Sequence, residues 1–114
     1  MANTFKLKTK ANLTTSLAAV YTVPSSKTAI ILSISLANTT GSAVTADIQA
    51  VSDTSDTETN ANSYLLKGAP VPSGSTLEIM QGNKLVLQTT DVLKAKASAG
   101  TSVDMIVSLM EMDV

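Results

Sequence analysis

The sequence predicts an all-β domain, an antiparallel β-sandwich or jelly roll of about eight strands with almost no helix. Apolar side chains recur at every second position in several segments, which is typical of strands because successive side chains leave a pleated backbone on opposite faces. Thr, Ser, Ala and Val dominate the composition, and these residues suit closely packed sheets better than helices. No segment combines an apolar stripe at helical spacing with capping residues.

The clearest element is a predicted hairpin over residues 27–51, with a turn at residues 39–42. Gly41 suits that turn because it adopts positive φ without a steric cost. On the first strand, one predicted face carries Ile30, Leu32, Ile34 and Leu36. The other face carries the small residues Ala29, Ser33, Ser35 and Ala37. We expect this small-residue face to allow another sheet to approach closely. On the second strand, Val44, Ile48 and Ala50 alternate with Thr45, Asp47 and Gln49.

Before the hairpin, the apolar residues Phe5 and Leu7 alternate with three lysines, Lys6, Lys8 and Lys10. This pattern predicts a first strand or an extended N-terminal arm within residues 1–16. The lysines either contact an acidic partner surface or keep an edge strand soluble and unpaired. A second strand is expected over residues 17–23, where Pro24 ends it because proline cannot donate to a ladder.

After the hairpin, residues 52–62 break all periodicity and are predicted to form an exposed polar loop. Further strands are expected near residues 64–66, 76–81, 84–88, 91–97 and 102–112. Residues 23–28 and 71–76 resemble each other, and so do residues 41–44 and 100–103. These similarities indicate either a two-part layout of the domain or similar requirements at its turns.

Composition excludes several functional classes. The 114 residues predict a single domain that needs no metal or disulfide to fold. Cysteine, histidine, arginine and tryptophan are absent. The chain therefore has no thiol, no imidazole to act as a general base and no guanidinium to bind phosphate through two hydrogen bonds. A net charge of -1 gives no field to attract nucleic acid. We expect no signal peptide and no membrane-spanning helix, because no apolar run is long enough.

The candidate chemical sites are weak. The loop oxygen donors, which are of the kind calcium prefers, are Asp53, Asp56, Glu58, Asn60 and Asn62. The loop lacks the glycine and the terminal bidentate glutamate of a helix-flanked calcium loop, so we predict a solvated loop without a metal. Ser26 and Lys27 are adjacent on an extended chain and therefore point to opposite faces, which disfavours a nucleophilic pair. We predict no catalytic residue and no cofactor, and therefore no enzyme.

The last strand is apolar on both faces. One face carries Val103, Met105, Val107 and Leu109, and the other carries Ile106, Met110 and Met112. When a strand is apolar on both faces, its outer face is covered either by a loop of its own chain or by a neighbouring subunit. We expect a neighbouring subunit, because a thin sandwich has few loops long enough to cover an outer face.

Four stretches resemble small β-sandwich virion proteins of tailed bacteriophages. They read AAVYTVP at residues 18–24, ISLANTTGSAVT at 34–45, YLLKGAPVPSGS at 64–75 and SVDMIVSLME at 102–111. Together they span nearly the whole chain, but they are motifs of turns and strands and contain no catalytic signature. Related chains often have glycine before the aspartate of the penultimate strand, where this chain has Thr90 before Asp91.

The resemblance implies a capsid decoration or cement subunit that stabilises the phage head by binding at capsomer junctions. It implies assembly in the bacterial host cytoplasm, contact with the major capsid protein or other virion proteins, and a homo-oligomer, with a trimer expected. The alternatives are a neck, tail or fibre-base protein, or a carbohydrate- or host-binding module, which the few aromatic residues disfavour. The expected partner-contact residues are Lys6, Lys8, Lys10, Ile106, Met110 and Met112.

Overall fold

A computed structural model describes residues 3–52 and 60–113. These residues form nine strands in two antiparallel sheets and contain no helix, which confirms the predicted all-β sandwich. The strands are β1 (Asn3–Lys10), β2 (Ala18–Thr22), β3 (Lys27–Asn38), β4 (Val44–Val51), β5 (Ser63–Val71), β6 (Thr76–Glu78), β7 (Leu85–Leu87), β8 (Val92–Ala97) and β9 (Val103–Asp113).

The two sheets are built by a chain that crosses between them repeatedly. The five-stranded sheet has the order β1-β9-β3-β6, with β7 also paired to β3, and the four-stranded sheet has the order β2-β8-β4-β5. Of the described strands, β4 and β5 are consecutive, paired neighbours in one sheet. Most other connections carry the chain from one sheet to the other, as in a jelly roll.

The predicted hairpin over residues 27–51 is wrong. β3 pairs with β9, β6 and β7, whereas β4 pairs with β5 and β8, so the turn after β3 joins the two sheets. Asn38, which is 3% exposed, holds this crossover. Its side-chain Nδ2 donates to the carbonyls of Val71 and Ser42 at 2.9 and 2.8 Å, and its Oδ1 accepts from the Thr40 backbone N–H at 2.9 Å.

A bulge in β3 also changes the predicted faces of that strand. Ile31 pairs with Leu109 and Ser33 pairs with Ser108, so Leu32 is an extra residue without a partner on β9. Before the bulge Ala29 and Ile31 are buried, and after it Ile34 and Leu36 are buried. A single apolar row from Ile30 to Leu36 therefore does not exist, because the extra residue inverts the alternation.

The core lies between the two sheets. Its fully buried large side chains are Leu13, Val23, Ile31, Ile34, Leu36, Ile48, Val71, Leu93, Val103, Met105, Val107 and Leu109. The β9 face that carries Val103, Met105, Val107 and Leu109 is part of this set. The described residues contain no helix with the length and hydrophobicity needed to cross a bilayer.

One of the two internal similarities falls on equivalent connections, whereas residues 41–44 and 100–103 connect the two sheets in opposite directions. Residues 23–28 lead from β2 to β3, and residues 71–76 lead from β5 to β6, so each carries the chain from the four-stranded to the five-stranded sheet. Each contains a residue with positive φ, Ser26 at 59° and Gly74 at 65°. Similar turn geometry accounts for the similar sequences. Of the polar loop at residues 52–62, residues 53–59 lie outside the described part of the chain.

Candidate assembly surface

The outer face of the five-stranded sheet carries an apolar row across its whole width. Phe5 on β1 pairs with Met110 on β9, Met110 pairs with Ile30 on β3, and Ile30 pairs with Val86 on β7. Residues directly opposite each other in antiparallel strands point to the same face, so these four side chains form one continuous row. Neighbouring rows are Asn3, Met112 and Thr28 on one side, and Leu7, Ser108 and Ser33 on the other. We call these rows, with that of Ile106 beyond them, the apolar face.

The apolar face is exposed. Phe5 is 74% exposed, Leu7 63%, Val86 58% and Ile106 43%, and these are four of the five exposed large apolar residues in the described part of the chain. No other element of the described residues packs over this side of the sheet, since the core lies on the opposite side. Contiguous exposed apolar surface of this kind marks a site of contact with another molecule.

The apolar face ends in polar and acidic residues on one side only. The row of Ile106 contains Thr9, Ser35 and Glu78, where the Ser35 hydroxyl donates to Glu78 Oε1 at 2.7 Å. Asp104 follows on β9 and accepts from the Asn12 backbone N–H at 2.9 Å. The opposite end, at Asn3, Met112 and Thr28, carries no charge. The apolar face is therefore polarised along the strands.

The expected contact residues divide between two faces. Ile106, Met110 and Met112 all lie on the apolar face. The three lysines lie on the other side of β1, because Lys6, Lys8 and Lys10 pair with the buried Leu109, Val107 and Met105. The lysines therefore lie on the side of β1 that faces the four-stranded sheet. The predicted partner contacts do not form one surface, since β1 turns Phe5 and Leu7 outward.

Lys6 takes part in a buried polar cluster that joins the two sheets. Glu111 on β9 is 3% exposed, and its Oε2 accepts from the Tyr21 hydroxyl on β2 at 2.7 Å. Its Oε1 lies 3.1 Å from Lys6 Nζ on β1. The Tyr21 hydrogen bond, together with Lys6, holds the pKa of the Glu111 carboxyl below its ordinary value although burial opposes this. Burial and the Glu111 carboxylate raise the pKa of Tyr21.

A second ion pair lies at the end of the same sheet. Lys27 Nζ on β3 donates to Asp113 Oδ1 on β9, and this hydrogen bond raises the pKa of Lys27. With Lys6 bound to Glu111, two of the lysines of the five-stranded sheet are paired with carboxylates of β9. These pairs fix edge and central strands to each other, which is a structural role.

The outer face of the four-stranded sheet is polar by contrast. Asp47 on β4 is 7% exposed, and its Oδ2 lies 3.7 Å from both Lys67 on β5 and Lys96 on β8. Asp47 Oδ1 accepts from the Gly68 backbone N–H at 2.7 Å, where Gly68 adopts a φ of 64°. The Lys67 ammonium also lies 4.4 Å from the centre of the Tyr64 ring. Charged and polar side chains cover this face, so the two faces of the sandwich differ in character.

The described residues contain one open cavity of note. An open cavity of about 420 Å³ lies beside β7 and includes Gln88 and Asp91. Asp91 is 3% exposed, and its Oδ2 accepts from the Gln88 backbone N–H at 2.9 Å, so this carboxylate stabilises the turn. Within residues 3–52 and 60–113, no group of three or more acidic side chains could hold a metal ion.

The predicted calcium-type donors lie largely outside the described residues. Asp53, Asp56 and Glu58 belong to the stretch at residues 53–59. Asn62 Oδ1 accepts from the Ser52 backbone N–H at 3.1 Å and so closes the base of the loop, and Asn60 is exposed. The expectation that this loop binds no metal stays a prediction.

Sequence reasoning missed Phe5, Leu7, Ile30 and Val86 as members of the site. The sequence shows that these residues alternate with lysines or with buried residues. It does not show which face of each strand is turned toward the core. Phe5 and Leu7 would ordinarily be assigned to the core in preference to lysines. The pairing of β1 with β9 reverses that assignment.

Comparison with known proteins gives a similarity of fold. No protein-family model matches the chain, and no curated protein matches it. A solved structure of the disulfide-linked pili of Bacillus endospore appendages superposes with a TM-score of 0.53 at 12% identity, over 99% of this chain and 88% of that chain. This similarity shows a shared fold. Nothing in these comparisons shows an origin in a tailed phage, so that part of the sequence interpretation stays a prediction.

Proposed function

We propose that this chain is a non-enzymatic structural subunit that assembles with copies of itself. The observation that carries the proposal is the apolar face, where Phe5, Leu7, Val86 and Ile106 are exposed. These side chains lie outside the core, which is formed between the two sheets. Exposing this much apolar surface costs free energy in water, and covering it in an assembly recovers that free energy. The Bacillus appendage protein that shares the fold forms disulfide-linked pili.

Within this class we propose a phage virion protein, with a capsid decoration or cement role first and a neck, tail or fibre-base role as the alternative. The support is the sequence resemblance over residues 18–24, 34–45, 64–75 and 102–111. In either place the mechanism is passive. A rigid sandwich buries its exposed apolar surface against neighbouring subunits and adds contacts that stabilise the particle.

A second candidate is a subunit of a bacterial surface filament, which the shared fold with the Bacillus pili favours. Those pili are disulfide-linked, whereas this chain has no cysteine. Its copies would therefore be held together by noncovalent contacts alone. Electron microscopy of the purified protein distinguishes the candidates. A filament subunit forms fibres on its own, whereas a decoration protein binds to capsids and forms no fibres.

The self-assembly proposal is tested by replacing Ile106 with lysine. Light scattering of the unaltered protein at micromolar concentration should give a mass above the 11.8 kDa of one chain. Ile106→Lys should weaken association about 100-fold, because an unpaired charge would be placed in the covered surface. The matched control is Thr45→Lys, which adds the same charge at an exposed position on the four-stranded sheet.

The Thr45→Lys protein should associate like the unaltered one. A strict monomer at micromolar concentration would contradict self-assembly. Ile106→Lys association at unaltered strength would show that copies meet elsewhere on the molecule. Deletion of residues 1–16 is not a suitable test of partner contact, because it removes β1 and the Lys6–Glu111 ion pair from the sheet.

The position in a particle is tested by reconstruction of virions that contain this chain. A decoration protein should occupy the outside of the capsid in many copies, whereas a neck or tail protein should occupy one axis in few copies. Absence of the chain from purified virions, with fibres formed by the protein alone, would favour the filament candidate.

A further inference from the structure

We propose that the apolar face packs against the apolar face of a second copy, back to back, about a two-fold axis that crosses the strands near Ser108. The inference rests on the proposed function and names the surface that two copies share. The contact is isologous, which means that the same surface of each copy contacts the other copy.

The outer face of the five-stranded sheet, which contains the apolar face, approaches the size of one side of a stable dimer interface. β9 has 11 residues, and four strand positions lie side by side across the sheet from β1 to β6 and β7. At about 3.3 Å per residue and about 4.8 Å per strand, the outer face of the sheet measures at most roughly 36 by 19 Å, or about 700 Å². Standard stable interfaces bury about 800 Å² on each partner.

The chemistry of the two outer faces determines which surface can cover the apolar face. Stacking onto the four-stranded sheet of another copy would place Phe5 and Met110 against Asp47, Lys67 and Lys96. Those charged groups would lose water and gain no apolar or ionic partner, which is costly. The apolar face of a second copy has matching character, because its central rows contain no charged residue.

The acidic end of the apolar face sets the direction of the axis. A two-fold axis along the strands would place the end of the apolar face that carries Glu78 and Asp104 over the same acidic end of the other copy. An axis across the strands instead places Asp104 over the uncharged row of Asn3, Met112 and Thr28, and the row of Glu78 over the uncharged row of Met110. Like charges repel at close range, so the crossing axis is favoured.

The same geometry brings each strand opposite its own copy in reverse direction. With the axis near the row of Leu7, Ser108 and Ser33, the row of Met110 faces the row of Ile106, and the overlap along β9 is the largest available. The small Ser108 and Ser33 side chains allow the sheets to approach closely at the axis. The larger Met110 and Ile106 side chains pack on both sides of them.

The absence of cysteine allows a direct cross-linking test on the full chain. Single variants Ser108→Cys, Ile106→Cys and Met110→Cys are treated with a short thiol-reactive linker, and Thr45→Cys on the opposite sheet is the control. Sheets pack about 10 Å apart, so two Ser108 positions at the axis come within about 10 Å, whereas two Ile106 positions lie roughly 17 Å apart.

We expect Ser108→Cys to form a covalent dimer, and Ile106→Cys and Thr45→Cys alone to remain uncross-linked. A mixture of Ile106→Cys and Met110→Cys should form the mixed dimer. Self-linking of Ile106→Cys as strong as that of Ser108→Cys would overturn the crossing axis. Association by light scattering with no cross-link from any of the three face variants would overturn the shared apolar face and leave the proposed function standing. A strict monomer would overturn both.

Discussion

Glu111 illustrates how one residue joins elements that are distant in sequence. It lies on β9, its hydroxyl donor Tyr21 lies on β2, and its cationic partner Lys6 lies on β1. A buried carboxylate is tolerated because both oxygens are satisfied, one by a hydroxyl and one by an ammonium. The cluster thus ties the edges of the two sheets together at one end of the sandwich.

This cluster predicts a loss of stability in acid. The pKa of Glu111 is lower in the folded state than its ordinary value of 4.5, so the unfolded chain takes up the proton first as the pH falls. The contribution of Glu111 to the free energy of unfolding is complete above about pH 4.5 and disappears as the pH falls through the folded pKa. Urea unfolding between pH 3 and pH 7 measures it.

Glu111→Gln should have a free energy of unfolding that falls less steeply below about pH 4.5 than that of the unaltered protein. The matched control is Glu78→Gln, which alters an exposed carboxylate on the same sheet and should keep the steeper fall. Equal acid dependence in all three proteins would contradict the role given to the cluster.

At the scale of elements, the bulge in β3 separates two segments of that strand that pair with different neighbours. Before it, β3 pairs with β7 at Ala29, Ile30 and Ile31, and after it β3 pairs with β6 at Ser35, Leu36 and Ala37. One edge of β3 is therefore shared by two short strands. The pairing of β3 with β9 continues on both sides with a single extra residue, Leu32.

We expect deletion of Leu32 to be tolerated. It would place Ile31, Ser33 and Ile34 opposite Leu109, Ser108 and Val107 in unbroken register, with the buried residues still facing the core. The cost should be about 0.5–3 kcal/mol, from the shift of β7 relative to β6. Thermal unfolding followed by circular dichroism measures it.

Deletion of Ser35 is the matched control, because it removes one residue from the same strand at a position that has a partner. It would turn Leu36 toward solvent and Ala37 toward the core, so cooperative unfolding should be lost. If both deletions destabilise the protein equally, Leu32 has a structural role beyond that of an inserted residue.

At the scale of the whole molecule, the fold depends on contacts between the two ends of the chain. β1 at residues 3–10 pairs with β9 at residues 105–112 over its full length, and β9 also pairs with β3. The five-stranded sheet cannot close until β9 is available. The chain must lose much of its conformational freedom before these contacts form.

Refolding should therefore be slow for a domain of this size, in the range of milliseconds to seconds. Stopped-flow dilution from urea, followed by tyrosine fluorescence from Tyr21 and Tyr64, measures the rate. Refolding within microseconds would contradict a transition state that requires the pairing of the two ends.

Much of the fold was predictable from local patterns. The alternation on β9 assigned Val103, Met105, Val107 and Leu109 to one face and Ile106, Met110 and Met112 to the other, and in the structure the first set lies in the core. Pro24, Gly74 and Gly100 marked turns correctly because their backbone preferences act locally. The two-sided apolar character of β9 was a correct indication of an exposed apolar surface.

The failures concern pairing. The turn after β3 looks like a hairpin turn, but Asn38 directs the chain into the other sheet through hydrogen bonds to Ser42 and to Val71. Phe5 and Leu7 look like core residues, but register with Met110 and Ser108 turns them outward. Neither outcome can be read from a segment on its own, because each depends on a partner far away in the chain.

The amino-acid pattern was sufficient for the strand content, the absence of catalytic residue types and the two-sided apolar character of β9, because these follow from local side-chain period and chemistry. The sheet to which each strand belongs, the inversion at Leu32 and the union of Phe5, Met110, Ile30 and Val86 in one row followed only from the assembled sheets. The physical reason is that a strand satisfies half of its backbone hydrogen bonds with each neighbour. The choice of neighbours is settled by the packing of the whole core.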